Sequence, residues 1–225
     1  MKRYYFTATE LLAVIAVILI LAALGGAVLI NSRAKARLAS CASNQGQTMK
    51  MIISAMASSD SRITAGNTDA TRYTRWLKDK GLLQSLTPVR CTDLSYGKTP
   101  DKTDDDAALA EAYGVVTADS TSNGKFNFKS NKLRKFDNTV DIPPASLLIG
   151  GCTAKNTDPA PATANLDFST GKLIAVHTGK TVNVFFFDGS VSSLNDGEFK
   201  AKKFFSPKAD NSGAQEVDSS KLLVP

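Results

Sequence analysis

The pattern of apolar and polar positions sets one long helical segment apart from the rest of this 225-residue chain. Residues 11–30 form an unbroken run of 20 apolar residues without a charge, and Glu10 immediately precedes it. At a rise of ~1.5 Å per residue a helix of this length covers ~30 Å, the thickness of the hydrocarbon core of a bilayer. We therefore predict a transmembrane helix. A buried soluble helix, a secretory signal peptide and a plain single-pass anchor are the alternatives.

The helical pattern continues beyond the apolar run. Residues 31–56 contain no proline and are rich in good helix formers. Their apolar positions recur at spacings of three, four and seven, which predicts a half-buried face: Leu38, Ala42, Met49, Ile52, Ile53 and Met56. We expect a single helix of about 50 residues, ~75 Å long, whose second half packs on a globular head.

The remaining residues predict shorter elements. A helix is expected over 70–80, with Tyr73, Trp76 and Leu77 on one side and Gly81 as its stop. A second short helix is expected over 107–113, and strands are expected around 126–128 and 146–150. Residues 153–165 resemble a surface loop in composition, and residues 206–225 are polar and weakly patterned.

Near the C-terminal end, the pattern predicts a three-stranded antiparallel meander. Its strands are expected over 173–177, 181–187 and 190–194, with Gly179-Lys180 turning the chain between the first two. Asp188-Gly189 is a strong signal for a two-residue type I′ hairpin turn. The apolar side of this meander would cover the second half of the long helix.

Charge is unevenly distributed. Residues 1–100 hold 13 Lys and Arg against 5 Asp and Glu, whereas the other 125 residues hold 14 against 16. The basic excess therefore lies along the helix and its first neighbours. A basic surface can attract nucleic acid, but no other feature of the sequence supports that partner.

The sequence carries little catalytic chemistry. His177 is the only histidine, and neither an H-E-x-x-H nor a C-x-x-C spacing is present. We therefore predict no enzyme, no catalytic residues, no metal site and no cofactor. His177 is expected to hydrogen-bond at the end of its strand, with the backbone or with Asp188, and to hold the hairpin in place.

The N-terminal residues carry a family resemblance. Residues 6–16, FTATELLAVIA, resemble the N-terminus of type IV prepilins and type II secretion pseudopilins, whose usual pattern is FTLIELLVVIA. The resemblance implies prepilin-type cleavage between Tyr5 and Phe6 and methylation of the new N-terminus. It also implies that Glu10 pairs with the free amine of Phe6 on a neighbouring subunit of a filament. Tyr5 stands where the family usually has glycine.

Further segments are similar to a pilin-like family found in bacteria such as Planctomycetes and Verrucomicrobia. Residues 32–45 resemble its KAREKA…SCxxNLKQ stretch, and His177 with Asp188-Gly189 resembles its H-x9-DG signature, with ten intervening residues instead of nine. The implied fold is α+β and pilin-like, with one long N-terminal helix on a small antiparallel sheet head that carries extra loops and short helices. The implied divisions are 1–5 leader, 6–30 transmembrane or filament-core half, 31–57 amphipathic half and 58–225 head.

The resemblance implies a structural subunit of a type IV pilus-like or type II secretion pseudopilus filament. The implied partners are further copies of the chain, a prepilin peptidase, the inner-membrane assembly machinery and the membrane before assembly. The subunit would lie in the inner membrane as a precursor and later in an extracellular pilus or periplasmic pseudopilus. The alternative is a membrane-anchored binding or sensory protein that does not polymerise.

The three cysteines, Cys41, Cys91 and Cys152, permit one disulfide and one free thiol. If the head is exported, a bridge is plausible. Cys41 with Cys91 would join the helix to the head, and both positions fall in family-like stretches. Cys91 with Cys152 is the rival pairing, and three reduced thiols would fit the cytosol. By analogy with major pseudopilins, a calcium site formed by Asp188, Asp196 and Glu198, whose hard oxygens cluster there, is a further alternative.

Overall fold

One helix dominates the computed structural model of this chain. α1 runs from Ala8 to Ala57, as the sequence predicted. The structure describes residues 7–57, 62–64, 72–94, 103–116, 125–153, 165–166, 173–208, 210, 212–218, 220 and 222–224. The predicted leader and processing site, with Tyr5 and Phe6, lie outside these residues. Within the described residues, no helix combines the length and apolarity that crossing a membrane requires.

The rest of the described chain forms short helices and strands. The α-helices are α2 (Arg72–Asp79), α3 (Asp106–Ala110) and α4 (Asp196–Ala201), and 3-10 helices cover Thr87–Val89, Asn131–Arg134 and Pro144–Ser146. The strands are β1 (Arg62–Thr64), β2 (Gly114–Val116), β3 (Lys125–Asn127), β4 (Lys135–Phe136), β5 (Val140–Asp141), β6 (Leu148–Gly151), β7 (Asn165–Leu166), β8 (Leu173–Ile174), β9 (Thr181–Phe186), β10 (Val191–Asn195), β11 (Phe204–Pro207), β12 (Ala214–Val217) and β13 (Leu222–Leu223).

The strands form mixed, mainly antiparallel sheets, so the fold class is α+β. The largest sheet has the order β10-β9-β6-β2-β7, with its first four strands antiparallel and β7 parallel to β2. A second sheet has the order β11-β12-β4-β5, and the pairs β1-β3 and β13-β8 stand apart. Runs of buried apolar residues in β6 and β9 place the core between the large sheet and α1.

The β9-β10 hairpin is present, but its turn differs from the prediction. Val191 pairs with Phe185, and Asn195 pairs with Thr181. Gly189 has a φ of 89°, whereas Asp188 has no positive φ, so the turn is not type I′. Gly189 N donates to Phe186 O and Phe186 N donates to Ser190 O, which closes a three-residue loop. The Asp188 carboxylate accepts from Ser190 N and stabilises this loop, which the two-residue interpretation overlooked.

The predicted three-stranded meander is wrong in its first strand. Gly179 and Lys180 do turn the chain, with φ values of 75° and 55°, but only His177 pairs with Thr181 beyond that turn. β8 instead pairs in parallel with β13, and β6 takes the place beside β9. The side of β9 away from β10 is therefore occupied by a strand that is distant in sequence, which local periodicity cannot indicate.

Most of the other predicted elements are present. α2 buries Tyr73, Trp76 and Leu77, and Gly81 follows it with a φ of 69°. α3 is shorter than predicted and is capped by the Asp105 carboxylate. The polar C-terminal stretch also forms strands β11 to β13, although its pattern predicted none.

Among the described side chains of α1, those in its second half pack on the head. The buried face contains apolar residues such as Met49 and Ile52 and also polar ones, namely Asn44, Gln45 and Thr48. These polar side chains donate hydrogen bonds to backbone carbonyls of the head, including Thr48 Oγ1 to Pro88 O at 2.6 Å. Polar contacts therefore hold the helix on the sheet together with apolar packing.

Candidate functional site

The first half of α1 exposes a continuous apolar surface. Its described large side chains between residues 11 and 21 are each 49–68% exposed: Leu11, Leu12, Val14, Ile15, Val17, Ile18, Leu19, Ile20 and Leu21. Because consecutive positions project around the whole helix, this surface has no polar side. Exposed apolar area of this extent is typical of an interaction surface.

Glu10 lies at the tip of this surface and helps to begin the helix. Its carboxylate accepts from Thr7 N at 2.8 Å, and Glu10 N donates to Thr7 Oγ1 at 3.3 Å. This reciprocal pair is the pattern of a capping box. Glu10 thus has a local structural role, and its exposed carboxylate remains accessible to a partner.

A second feature is a buried cluster of four side chains from four separate segments. Cys41 lies on α1, Cys91 follows the 3-10 helix Thr87–Val89, Cys152 follows β6, and His177 lies in the turn before β9. Their relative exposures are 0%, 2%, 0% and 3%. The potential ligand atoms of all four residues lie within 4.8 Å of one another. We call this group the Cys3His cluster.

The distances within the Cys3His cluster are nearly uniform. Cys41 Sγ lies 3.6 Å from Cys91 Sγ and 3.5 Å from Cys152 Sγ. His177 Nε2 lies 3.6 Å from both Cys91 Sγ and Cys152 Sγ. None of the three cysteines forms a disulfide. The four atoms therefore surround a common centre and form no isolated close pair.

Local structure explains how the four residues meet. Cys152 N donates to Asn183 O, and Cys152 O accepts from Ile174 N, so two neighbouring backbone segments hold this residue. The positive φ values of the Gly179-Lys180 turn return the chain so that His177 faces β9. Asn44 donates to Arg90 O, which ties the segment before Cys91 to α1.

A carboxylate sets the orientation of the histidine. His177 Nδ1 lies 2.6 Å from Asp93 Oδ2, and Asp93 Oδ1 lies 3.5 Å from Arg37 Nη1. An imidazole held by a carboxylate at Nδ1 directs Nε2 toward the sulfurs. Gln45 Nε2 also donates to Cys152 Sγ at 3.4 Å.

Hydrogen bonds within the cluster raise the pKa of His177 and lower that of Cys41, although both residues are buried. Burial opposes the charged form of His177, but hydrogen bonds with Cys41 and Cys91 outweigh it and raise the pKa of His177 to about 11. Burial likewise opposes ionisation of Cys41, yet hydrogen bonds with Cys152, Cys91 and His177 lower the pKa of that thiol well below its usual range. Burial raises the pKa of Cys152. At both Cys41 and His177, hydrogen bonding within the cluster therefore opposes the effect of burial on the pKa.

Two kinds of chemistry use such residues. Three sulfurs and an imidazole can bind a cation. A cysteine beside a histidine and an aspartate can also form a nucleophilic site, but a nucleophile must be accessible to its substrate. Since the cysteines and His177 are at most 3% exposed, the arrangement favours ion binding.

The cysteines and His177 have partners in the structure that differ from those the sequence suggested. The sequence left open a disulfide of Cys91 with Cys41 or with Cys152. In the structure Cys41 Sγ lies 3.6 Å from Cys91 Sγ and 3.5 Å from Cys152 Sγ, and none of the three cysteines forms a disulfide. The predicted partner of His177 was the backbone or Asp188. His177 does pair with the Thr181 backbone, while its side chain meets Asp93, and Asp188 instead accepts from Ser190.

The acidic residues considered for calcium are engaged locally. Glu198 accepts from Asn195 N in the capping box of α4, and Asp196 pairs with Lys200 at 2.7 Å. Both carboxylates therefore take part in contacts at the N-terminal end of α4.

Sequence reasoning missed the Cys3His cluster and Asp93. The prediction of no metal site depended on the absence of closely spaced ligands such as C-x-x-C. In this chain two of the cysteines in the cluster, Cys41 and Cys152, are 111 residues apart. A usable signal was present, because the chain has three cysteines and one histidine, which together make one tetrahedral ligand set.

Comparisons of this chain with family models, with curated proteins and with solved structures find no match.

Proposed function

We propose that this chain is a structural subunit of a filament of the type IV pilus or type II secretion pseudopilus kind, assembled through the first half of α1. One observation carries the proposal: the helix that packs on a head along its second half exposes a continuous apolar surface between residues 11 and 21. A pilin-like arrangement of helix and head is part of this proposal.

The free energy available from covering that surface is large. Each large apolar side chain contributes about 1.5–3 kcal/mol when it is fully buried. Because the nine side chains between residues 11 and 21 are 49–68% exposed, covering their exposed part would contribute roughly 8–16 kcal/mol relative to water. That is comparable to or above the whole stability of a typical domain, ~5–15 kcal/mol. Lipid would supply this cover before assembly, and bundling with other copies of the same helix would supply it in the filament.

Glu10 would align each subunit in the bundle. Its exposed carboxylate can pair with the amine that cleavage before Phe6 creates on a neighbour. At a separation of ~4 Å and an effective dielectric constant of ~20, such a pair attracts by about 4 kcal/mol before desolvation is subtracted. An interaction of this size at one position favours a single axial register.

The proposal includes the processing and location implied by the N-terminal resemblance. A prepilin peptidase would remove residues 1–5, and the subunit would wait in the inner membrane for the assembly machinery. The filament would then extend outside the cell or remain in the periplasm.

Two substitutions at Glu10 separate its charge from its capping role. Gln can replace Glu in a capping box, so Glu10→Gln keeps the helix start but removes the charge, whereas Glu10→Ala removes both. We expect both variants to lose filaments in negative-stain microscopy of sheared surface material while they still enter the membrane fraction. Glu216→Gln, an exposed head carboxylate paired with Lys203, is the matched control and should keep filaments.

The outcomes distinguish three cases. If Glu10→Gln assembles normally, the proposed charge pairing is wrong. If the unaltered chain stays a lipid-embedded monomer and mass spectrometry finds an intact Met1, the membrane-anchored alternative is favoured. A methylated Phe6 at the N-terminus supports the filament.

A further inference from the structure

We propose that Cys41, Cys91, Cys152 and His177 bind one Zn²⁺ ion in a structural site that fastens α1 to the head. This inference is independent of filament formation, because it concerns only contacts between the second half of α1 and the head.

The distances match a tetrahedral zinc site. With Zn–S bonds of ~2.3 Å and Zn–N bonds of ~2.0–2.1 Å, tetrahedral angles require S···S separations of ~3.8 Å and S···N separations of ~3.6 Å. The cluster shows S···S distances of 3.6 and 3.5 Å and S···N distances of 3.6 and 3.6 Å. A zinc ion therefore fits with shifts of a few tenths of an ångström.

The surrounding groups are those that support a zinc ligand set. Asp93 holds His177 at Nδ1 and leaves Nε2 toward the sulfurs, which is the carboxylate–histidine–zinc arrangement. Gln45 Nε2 donates to Cys152 Sγ and can stabilise thiolate charge. Arg37 lies beside Asp93 and offsets its negative charge.

The number and burial of the ligands favour a structural role. Structural zinc sites use four protein ligands, and Cys3His is one of their usual sets. The ligand atoms lie within 4.8 Å of one another, which suits a single ion. Burial of every ligand leaves no open position for a substrate.

A disulfide is the main rival, and the geometry does not favour one. A disulfide needs two sulfurs ~2.05 Å apart, whereas Cys41 Sγ lies almost equally far from two other sulfurs. Any bridge would leave the third thiol and His177 buried without a shared partner. One zinc ion satisfies all four ligands together.

Zinc would join segments that are far apart in the chain. Cys41 is 50 residues from Cys91 and 111 from Cys152, so the ion closes long loops. Because such a site does not exist in the unfolded chain, the free energy of binding becomes free energy of folding.

The first test measures metal and thiols on the full chain purified in detergent. We expect one zinc per chain by elemental mass spectrometry, and three alkylated cysteines after denaturation with a chelator. Replacement of zinc by Co²⁺ should give the intense ligand-field bands of a tetrahedral site together with thiolate-to-cobalt charge transfer. A chain that contains a disulfide and no stoichiometric metal overturns the proposal.

The second test uses variants. Cys152→Ser removes one ligand and should abolish the tetrahedral cobalt spectrum, but this variant can fail to fold. Asp93→Asn keeps all four ligands and should weaken Co²⁺ and Zn²⁺ binding by 10–100-fold, as loss of a ligand-orienting group does. Asp141→Asn, an exposed carboxylate paired with Lys135, is the matched control and should bind as the unaltered chain does.

Binding that is unchanged in both Cys152→Ser and Asp93→Asn would place the metal elsewhere and overturn the assignment. Filament microscopy is a separate measurement. Loss of metal binding without loss of filaments, or the reverse, therefore distinguishes failure of this inference from failure of the proposed function.

Discussion

The two halves of α1 reverse the usual relation between hydrophobicity and burial. Between residues 11 and 21 the large apolar side chains are exposed, whereas farther along the same helix Cys41, Asn44, Gln45 and Thr48 are buried. The buried half is specified by hydrogen bonds and by the Cys3His cluster. In the exposed half, the described part of the chain leaves the large side chains between residues 11 and 21 mostly uncovered, and the proposed filament would cover them.

This contrast separates two kinds of information within one element. Apolar surface without polar groups provides free energy but little positional specificity. Buried polar groups require matching partners, so they set the register of the helix on its sheet. We expect substitutions in the two halves to affect different measurements.

The largest predicted difference compares Ile52→Ala with Leu19→Ala. Ile52 is fully buried, so truncation should lower the free energy of unfolding by about 2–5 kcal/mol. Leu19 is 68% exposed, so truncation should change it by less than about 0.5 kcal/mol. Urea unfolding of the two variants checks the pair. Equal losses of stability would show that the first half also contributes to the folded subunit.

A smaller effect tests the buried polar contacts. Thr48→Val removes the buried hydroxyl that donates to Pro88 O at 2.6 Å, and we expect a loss of about 1 kcal/mol in the free energy of unfolding because a part-buried carbonyl loses its donor.

The matched change is Thr92→Val, where an exposed hydroxyl donates to Arg37 O. Water can replace that donor, so the expected loss of stability is below about 0.5 kcal/mol. If the two variants unfold at the same urea concentration, the polar contacts of the buried face do not specify docking.

The smallest predicted effect is a gain. Gly46 lies inside α1, and an added Cβ would meet Val191 Cγ2 at 3.8 Å, which is ordinary contact. Gly46→Ala should raise the free energy of unfolding by about 0.5–1 kcal/mol, because alanine loses less backbone entropy in a helix. Thermal unfolding checks this increase. A decrease would mean that the helix approaches β10 too closely to accept a methyl group.

Much of the fold was predictable where the signal is local. The length of α1, the position of α2 with its stop at Gly81 and the β9-β10 hairpin follow from helix formers, a positive-φ glycine and a turn dipeptide. The neighbour of β9 was predicted wrongly, because strand pairing across distant segments depends on the whole fold.

The Cys3His cluster was less predictable for the same reason. Cysteine and histidine composition permitted a four-ligand site, but the separations resembled no metal motif. Nothing in the sequence distinguishes Asp93 from the other acidic residues. Its contact with His177 depends on where the turn after His177 places the imidazole.

The long helix, its apolar first half and the family resemblance of its N-terminus can be read from the amino-acid sequence, because they depend on residues that are neighbours along the chain. The buried face of that helix, the strand beside β9 and the meeting of four ligand side chains are visible only in the folded chain. Those outcomes depend on distances between segments that are far apart in sequence, and packing and hydrogen bonding set such distances only once the chain has folded.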